Sequence, residues 1–508
     1  MGQQYLIAHD LGTSGVKAAL TDLTGRVIAS AESRYPVYYT SDGGAEQDVE
    51  EWWQGIIKTT REMMAKSGVK QEQIAGMSMD AQMSGTVPVD VNGKPLRRVM
   101  TWLDSRAQAE GDILSQATGV PFFTGKAGSA KIMWIKNHEP EIYARTHKFL
   151  DCKDVLQYRM TGEYGTDLSC AIATLCMNPA TMDWWEDILG IIGVPVDKFP
   201  PIMPSTQVVG KLTPQAAQEM GLPPGIPVVS GGGDVPCAVI GSGAISAGRA
   251  HLYLGTSAWI FASTENFTME APGVAPGISC EPGMFYLGGE MDNAGGCLKW
   301  FIENLMGKDD KEAAAAQGLS SFQYMDLKAA ETPPGADGLL FLPWLWGERT
   351  PVDDDLVRGG FAMLATNHTK WHMARAVLEG CGHQLRWIAD SLSCAGTPLT
   401  EVNVIGGGAF SKIWLQMLAD VTNLKLLQVE GPLDACARGA AMTAAVGLGF
   451  YKDFGEVEKA IRLTGLEFVP NPANRALYDK AHANYLSLYQ PLSDIGHDKV
   501  AQAQAEPA

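Results

Sequence analysis

The stretch Tyr5-Leu-Ile-Ala-His-Asp-Leu-Gly-Thr-Ser-Gly-Val-Lys-Ala-Ala-Leu20 has a counterpart almost half a chain away, Ala250-His-Leu-Tyr-Leu-Gly-Thr-Ser-Ala-Trp-Ile-Phe261. Each reads as an apolar strand, a Leu-Gly-Thr-Ser turn and a second apolar strand. That pattern predicts a hairpin whose tip exposes backbone N–H groups and two hydroxyls. One such turn is ordinary hairpin chemistry. Two, in the same strand–turn–strand frame, predict two lobes built on one plan.

Outward from the first hairpin, Arg26-Val-Ile-Ala-Ser30 reads as a third strand and Ile74-Ala-Gly-Met-Ser-Met79 as a fourth. The second half repeats the style with Val402-Asn-Val-Ile405, the turn Gly406-Gly-Gly408 and a helix over 411–421. A further helix over 435–446 is rich in small residues that permit close packing. The whole is an α/β chain with mixed sheets. The boundary is expected near Gly243 to Gly248, giving lobes over 1–247 and 248–490 and a flexible tail over 491–508.

At 508 residues the chain is long enough for two or three cores. Its formal charge of −18 sets it against nucleic acid and anionic membranes, so an anionic ligand must be held by local donors. No apolar run reaches the length of a membrane span, and the start lacks the charged and apolar regions of a signal peptide. The nine cysteines are scattered with no Cys-x-x-Cys pair, which predicts reduced, mostly buried thiols in a cytoplasmic protein.

Two acids stand where chemistry is expected. Asp10 ends the first strand just before Gly12-Thr13-Ser14, a carboxylate beside a turn of N–H and hydroxyl donors. That combination suits a metal–phosphate site, with the acid reaching Mg²⁺ directly or through water and Lys17 adding charge. Asp234 follows the glycines of Ser230-Gly-Gly-Gly-Asp-Val. Glycines there let backbone approach a ligand and aim the acid at it, although a turn residue or helix cap would read the same way. No Walker-type Gly-x4-Gly-Lys-Ser/Thr, His-Arg-Asp loop or Gly-x-Gly-x-x-Gly opening a helix occurs. His368 and His372 have helical ligand spacing but no third ligand nearby, so no metal is expected there.

Taken together, these pieces resemble the FGGY carbohydrate kinases. Asp10-Leu-Gly-Thr-Ser14 is similar to that family's first phosphate motif, Gly231-Gly-Gly-Asp234 to its catalytic-base motif and Leu254-Gly-Thr-Ser257 to its second phosphate motif. Gly406-Gly-Gly-Ala-Phe-Ser411 resembles its adenosine turn, and Glu50-Glu-Trp-Trp53 its Trp-rich stretch. The resemblance covers roughly residues 5 to 450, with the motifs in order. It implies two lobes of the duplicated actin-like, ribonuclease H-like sugar-kinase fold with an active-site cleft between them.

The activity implied is transfer of the γ-phosphate of Mg-ATP to a primary hydroxyl of a ketose, with Asp234 as base. The xylulokinase-like branch fits best, on Gln82-Met83-Ser84-Gly85 and Trp102-Leu-Asp104-Ser-Arg106 as sugar contacts. D-xylulose or a related sugar is then the expected substrate. The nucleotide and its phosphates would be held by Gly12, Thr13, Ser14, Lys17, Gly255, Thr256, Ser257, Gly295, Lys299, Gly407, Gly408 and Ser411. Ser84, Leu103 and Val235 depart from the branch's usual His, Asn and Asn, and a lost polar contact discriminates strongly among sugars. Met363 stands where the family usually has Gly.

Ribulose, gluconate or sugar-alcohol kinases are therefore the alternatives. A non-catalytic sugar- or ATP-binding regulator is the rival of another class, disfavoured by the retention of both Asp10 and Asp234. Partners are expected to be a small sugar and ATP, with no nucleic acid and no membrane; a homodimer is compatible with the sequence.

Overall fold

The computed structural model describes residues 3–120 and 123–505. Its chain divides into two compact units. The first runs up to Ile245 and regains Gly277–Phe285 and Asp434–Ile461; the second holds Ser246–Pro276, Tyr286–Leu433 and the chain from Arg462 on.

In the first unit, β1 (Tyr5–Leu11), β2 (Gly15–Asp22) and β3 (Val27–Arg34) form an antiparallel meander. β4 (Ile74–Ala81) lies parallel to the other side of β1. β5 (Val208–Lys211) and β6 (Pro227–Val229) extend the sheet, in the order β5-β6-β4-β1-β2-β3. A two-residue strand, β7 (Gly232–Gly233), pairs with the end of β4. Every residue of β1 except Asp10 is buried, as a strand covered on both faces requires.

Helix α1 (Val49–Ser67) packs on β2 and β3 and buries Trp52 and Trp53 completely. It starts where the Asp48 side chain accepts from the N–H of Glu50, and stops at Gly68 in the left-handed region. Other helices that matter to the site are α2 (Cys152–Thr161) and α3 (Asp234–Ser242).

The second unit repeats the plan. β8 (Ala250–Leu254) and β9 (Ala258–Thr264) form the second hairpin. β10 (Ala275–Ile278) and β11 (Phe285–Met291) continue it on one side; β12 (Glu401–Ile405), parallel to β8, then β13 (Lys425–Val429) and β14 (Leu463–Phe468) continue it on the other. Helices α4 (Gly295–Asn304), α5 (Lys370–Cys394) and α6 (Lys412–Thr422) contribute Phe301, Leu385 and Leu418 to its apolar core. In both units a hairpin strand thus lies beside a parallel strand that ends in a functional-looking turn.

Helix α7 (Ala435–Gly447), read from sequence with the second lobe, belongs to the first unit. It packs on β1 and β4 and crosses α3 with backbone against backbone. A Cβ on Gly241 would lie 1.8 Å from the Ala435 carbonyl oxygen, and one on Gly439 would lie 1.8 Å from that of Cys237. Only glycine fits at both positions, so the seam is written in two residues that composition alone reads as generic small ones.

The expected tail is also different. Tyr489–Ala505 forms helix α8, with Ser493 donating to Asp354 at 2.6 Å and Leu492 packed near Trp344. Residues 506–508 of that expected tail lie outside the described residues. All nine cysteines are free thiols, with only Cys394 exposed. Among the described residues no helix is long and apolar enough to cross a membrane. Met363 has φ 66°, the left-handed conformation that favours glycine.

Candidate active site

The ends of three neighbouring parallel strands assemble the acids of the first unit. In the β1–β4 register Asp10 stands opposite Asp80, and in the β4–β7 register Asp80 stands opposite Gly232. Asp234 follows one residue beyond Gly233, as the first residue of α3. Carboxyl ends of parallel strands are where α/β sheets present ligand groups. Gly231 makes this approach feasible: its φ is 68°, and a Cβ there would lie 2.0 Å from the Met79 carbonyl oxygen. One Asp234 oxygen accepts from the N–H of Val235 at 2.9 Å, so the acid also sits favourably in the helix's first turn.

Electrostatically the site is crowded with negative charge. Burial raises Asp10 above its usual value, with Lys17 opposing and the Asp80 carboxyl hydrogen-bonding to it. Burial, then the charges of Asp10 and Asp234, push Asp80 well above the ordinary carboxylate range. Lys17 reaches Asp434 at 3.0 Å and Glu32 at 3.5 Å. Paired carboxylate oxygens of this kind suit Mg²⁺, and neither oxygen of buried Asp80 is satisfied by an N–H or hydroxyl donor.

The first Gly-Thr-Ser turn is held from behind. Tyr35 donates its hydroxyl to the Gly12 carbonyl at 2.5 Å, Gln47 donates to the Thr13 carbonyl at 2.7 Å, and the Trp102 indole N–H donates to the Thr13 hydroxyl at 2.9 Å. Gln82 donates to the Gln47 side chain at 2.7 Å. Trp102 and Gln82, expected at the sugar, are thereby tied to Thr13, expected at phosphate.

Ser84 and Gly85 are clamped in the same manner. Ser84 has φ 60°, a costly conformation for a residue with a side chain. Asp151 accepts from the N–H of Ser84 at 3.2 Å and of Gly85 at 2.8 Å, and the Ser84 hydroxyl donates to the Ala173 carbonyl at 3.0 Å. Buried Lys131 donates to the Ser84 carbonyl at 2.9 Å and the Thr101 carbonyl at 2.6 Å, joining both sugar-side segments. Burial pushes this ammonium down to about 8. Met83 packs at Gly233, where an added Cβ would lie 2.3 Å from its sulfur.

Asp104 and Arg106 mostly engage each other. The guanidinium contacts both Asp104 oxygens and also Glu46 at 2.6 Å, while Asp104 accepts from the N–H of Ala45 at 3.0 Å. Both charges are thereby taken up by this segment and by Glu46.

In the second unit, Gly255, Thr256 and Ser257 form the tip of the β8–β9 hairpin, with Thr256 exposed. The N–H of Gly295 donates to the Gly255 carbonyl at 3.0 Å, bringing the start of α4 to that turn. Lys299, on the same helix, faces solvent with Glu303 at 3.7 Å. Gly407 and Gly408 lie in a short 3-10 turn after β12. Ser411 caps α6 by accepting from the N–H of Trp414 at 3.0 Å and donates to Asp326 at 2.5 Å. Its hydroxyl thus shapes the turn. His372 contacts Asp337 at 3.2 Å, and the His368 and His372 rings lie 5.4 Å apart at the start of α5.

Sequence reading missed Tyr35, Gln47, Asp80, Lys131 and Asp151. Asp80 carried a signal: an acid ending a buried apolar strand, as Asp10 does. The others act through contacts distant in sequence, which local patterns do not carry.

Asp151 supplies a pH prediction. Burial first, then the Asp154 charge, raise it from 3.8 to about 7. A carboxyl whose folded value is raised contributes stability below its unfolded value and loses it as pH rises through the folded one. Asp151→Asn keeps the helix-capping acceptor but does not titrate. Relative to that variant the parent should lose stability between about pH 4 and 7 and stay level above. Denaturation midpoints across pH check this; parallel profiles would refute it.

Comparison with known proteins follows the same outline. Residues 5–241 match the FGGY family of carbohydrate kinases, N-terminal domain, and residues 250–448 match that family's C-terminal domain. The xylulose kinase of Staphylococcus epidermidis is 32% identical over 507 residues, covering 98% of this chain and 99% of the relative. The gluconokinase of Bacillus subtilis is 30% identical over 470 residues, covering 91% of each. The crystal structure of ligand-bound xylulose kinase from Lactobacillus acidophilus superimposes with a TM-score of 0.88 at 25% identity, covering 97% of this chain and 99% of that one.

Proposed function

The chain belongs to the FGGY family of carbohydrate kinases and is a sugar kinase, and from that premise we propose that it phosphorylates a primary hydroxyl of a ketose, D-xylulose first. The observation that carries the reading is the strand register setting Asp10 and Asp80 beside the Gly231–Asp234 turn.

In this reading Asp234 takes the proton of the sugar hydroxyl. The freed oxygen forms a bond to the γ-phosphorus of ATP as the bond to the β–γ bridging oxygen breaks, and ADP departs. Phosphoryl transfer has a loose transition state, so the residues contribute chiefly by alignment and charge placement. Gln82, Met83, Ser84, Gly85 and Trp102 form the sugar wall, with Asp104 and Arg106 bracing it. Gly12, Thr13, Ser14 and Lys17, with Gly255, Thr256, Ser257, Gly295 and Lys299, serve the phosphates; Gly407 and Gly408 take the adenosine, with Ser411 holding their turn. Asp10 holds Mg²⁺ directly or through water, and that ion neutralises phosphate charge when bound.

Gluconate is the second reading, supported by the gluconokinase relative and by Ser84, whose hydroxyl is engaged by the Ala173 carbonyl. Coupled ADP release with Mg-ATP over pentuloses, hexuloses, aldoses, polyols and sugar acids separates the two. A kcat/KM for D-xylulose at least about tenfold above the other substrates, equivalent to roughly 1.4 kcal/mol, is expected. Leadership by gluconate would move the second reading forward, and absence of any sugar-dependent release would sink both.

A further inference from the structure

Asp10 and Asp80 are not alone at the strand ends: the first turn of α7 brings the Cys436 thiol to them. One donor atom from each of the three residues lies within 4.8 Å of the other two. Two ligands about 2.0–2.3 Å from a shared ion stand at most roughly 4.6 Å apart, so donors gathered this closely are of the span that one ion bridges.

A further observation points to a cation. Asp80 is fully buried, yet neither of its oxygens receives a hydrogen bond from an N–H or hydroxyl. Such a group normally meets a donor of its own, whereas Asp80 has the Asp10 carboxyl, with which it shares a hydrogen bond. Cys436, the second residue of α7, is a buried thiol whose surroundings, burial first and then the carboxylates of Asp10 and Asp80, oppose a bare thiolate, so sulfur ligation here requires the cation itself to displace the proton.

The donor set is mixed. Carboxylates alone suit Mg²⁺ and Mn²⁺, whereas thiolate sulfur shifts preference toward softer ions. We propose that Asp80 and Cys436 join Asp10 in a protein-held carboxylate–thiolate site for a transition-metal dication, occupied without nucleotide or sugar. Asp80 and Cys436 contribute ligands of their own, so the inference goes beyond the kinase reading and can fail separately from it.

Cobalt(II) is the probe, because sulfur ligation gives it a near-ultraviolet charge-transfer band that oxygen ligation does not. The full chain, stripped of metal with a chelator and carrying Cys394→Ala to remove the exposed thiol, is titrated with Co²⁺ in the absence of ATP. One equivalent with a sulfur-to-cobalt band is expected. Cys436→Ala should abolish the band, and Asp80→Asn should weaken Co²⁺ binding at least tenfold. Far-ultraviolet circular dichroism verifies that the variants are folded, and Cys436→Ser stands in if the alanine variant is not. Absence of the band in the parent, or its survival in the folded Cys436 variant, would overturn the proposal. So would unchanged Co²⁺ affinity in Asp80→Asn. A kinase that binds Co²⁺ in this way but phosphorylates no sugar would leave the cation site standing and remove only the functional reading.

Discussion

Asp234→Asn is expected to lower kcat by about a hundred- to ten-thousand-fold, the range that a positioned general base contributes. The side chain's other role survives the change: an Asn carbonyl can still accept from the N–H of Val235, the contact seen at 2.9 Å. Folding should therefore hold, and Asn is at least as good as Asp near a helix start. KM for sugar should move far less than kcat, because a general base, as proposed for Asp234, acts in the transition state rather than in binding. Single-turnover rates, an unchanged melting profile and sugar KM together give the test. Turnover within about threefold of the parent, in a folded variant, would leave Asp234 as a helix-start residue only.

Much of the frame that presents Asp234 was legible in the chain. The Leu-Gly-Thr-Ser repeats read as hairpins because strand alternation and turn chemistry are local. The β1–β2 and β8–β9 pairings follow from nothing else. The candidate site carries a sequence mark where glycines flank an acid, as at Gly231–Asp234. It was illegible where function depends on a neighbour in space. Lys131 sits in a helix with little to mark it, and only the fold aims its ammonium at the carbonyls of Ser84 and Thr101.

The main run of the first unit ends at Ile245, inside the boundary expected at Gly243 to Gly248, but the return of a later helix to that unit did not read, for a related reason. Helix α7 follows β13 in sequence without any break in composition, yet Gly241 and Gly439 let it dock in the first unit. A seam made by missing side chains leaves no apolar stripe to detect. Helix α8 was mistaken for tail because its end is rich in Ala and Gln. Its start is anchored by Tyr489 and Leu492 near Trp344, and by Ser493 on Asp354. Asp104 and Arg106 give the converse case: the motif was visible, but the salt bridge that takes up both charges was not.

Lys153→Met should be the most destabilising single change in the first unit, at about 3–5 kcal/mol, the usual cost of removing one partner from a buried ion pair. Lys153 is completely buried on α2, 2.8 Å from an Asp154 oxygen and 3.4 Å from one of Asp167. Burial alone would push its ammonium down, but those carboxylates outweigh it and hold the charge above the usual lysine range. Methionine fills most of the volume, so the loss is electrostatic rather than a cavity.

The same network suspends the turn that carries Asp234. Asp167 accepts from the Ser169 hydroxyl at 2.5 Å, and Ser169 accepts from the N–H of Gly233 at 3.0 Å. Gln157, 3.3 Å from Lys153, donates to the Ser230 carbonyl at 2.5 Å. With Lys153 gone, Asp154 and Asp167 must protonate or shift, and either loosens the backbone of 230–233. A drop in melting temperature on the order of 10 °C is expected. At a temperature where the variant is folded, kcat should fall while nucleotide binding, which in the proposed reading draws on the second unit's glycine turns, stays within about twofold. The double variant Lys153→Met with Asp167→Asn should recover part of the stability, since it removes one of the stranded charges. A single variant within about 1 kcal/mol of the parent would show that the buried lysine is dispensable, and that the turn beneath Asp234 is held by Ser169 and Gln157 unaided.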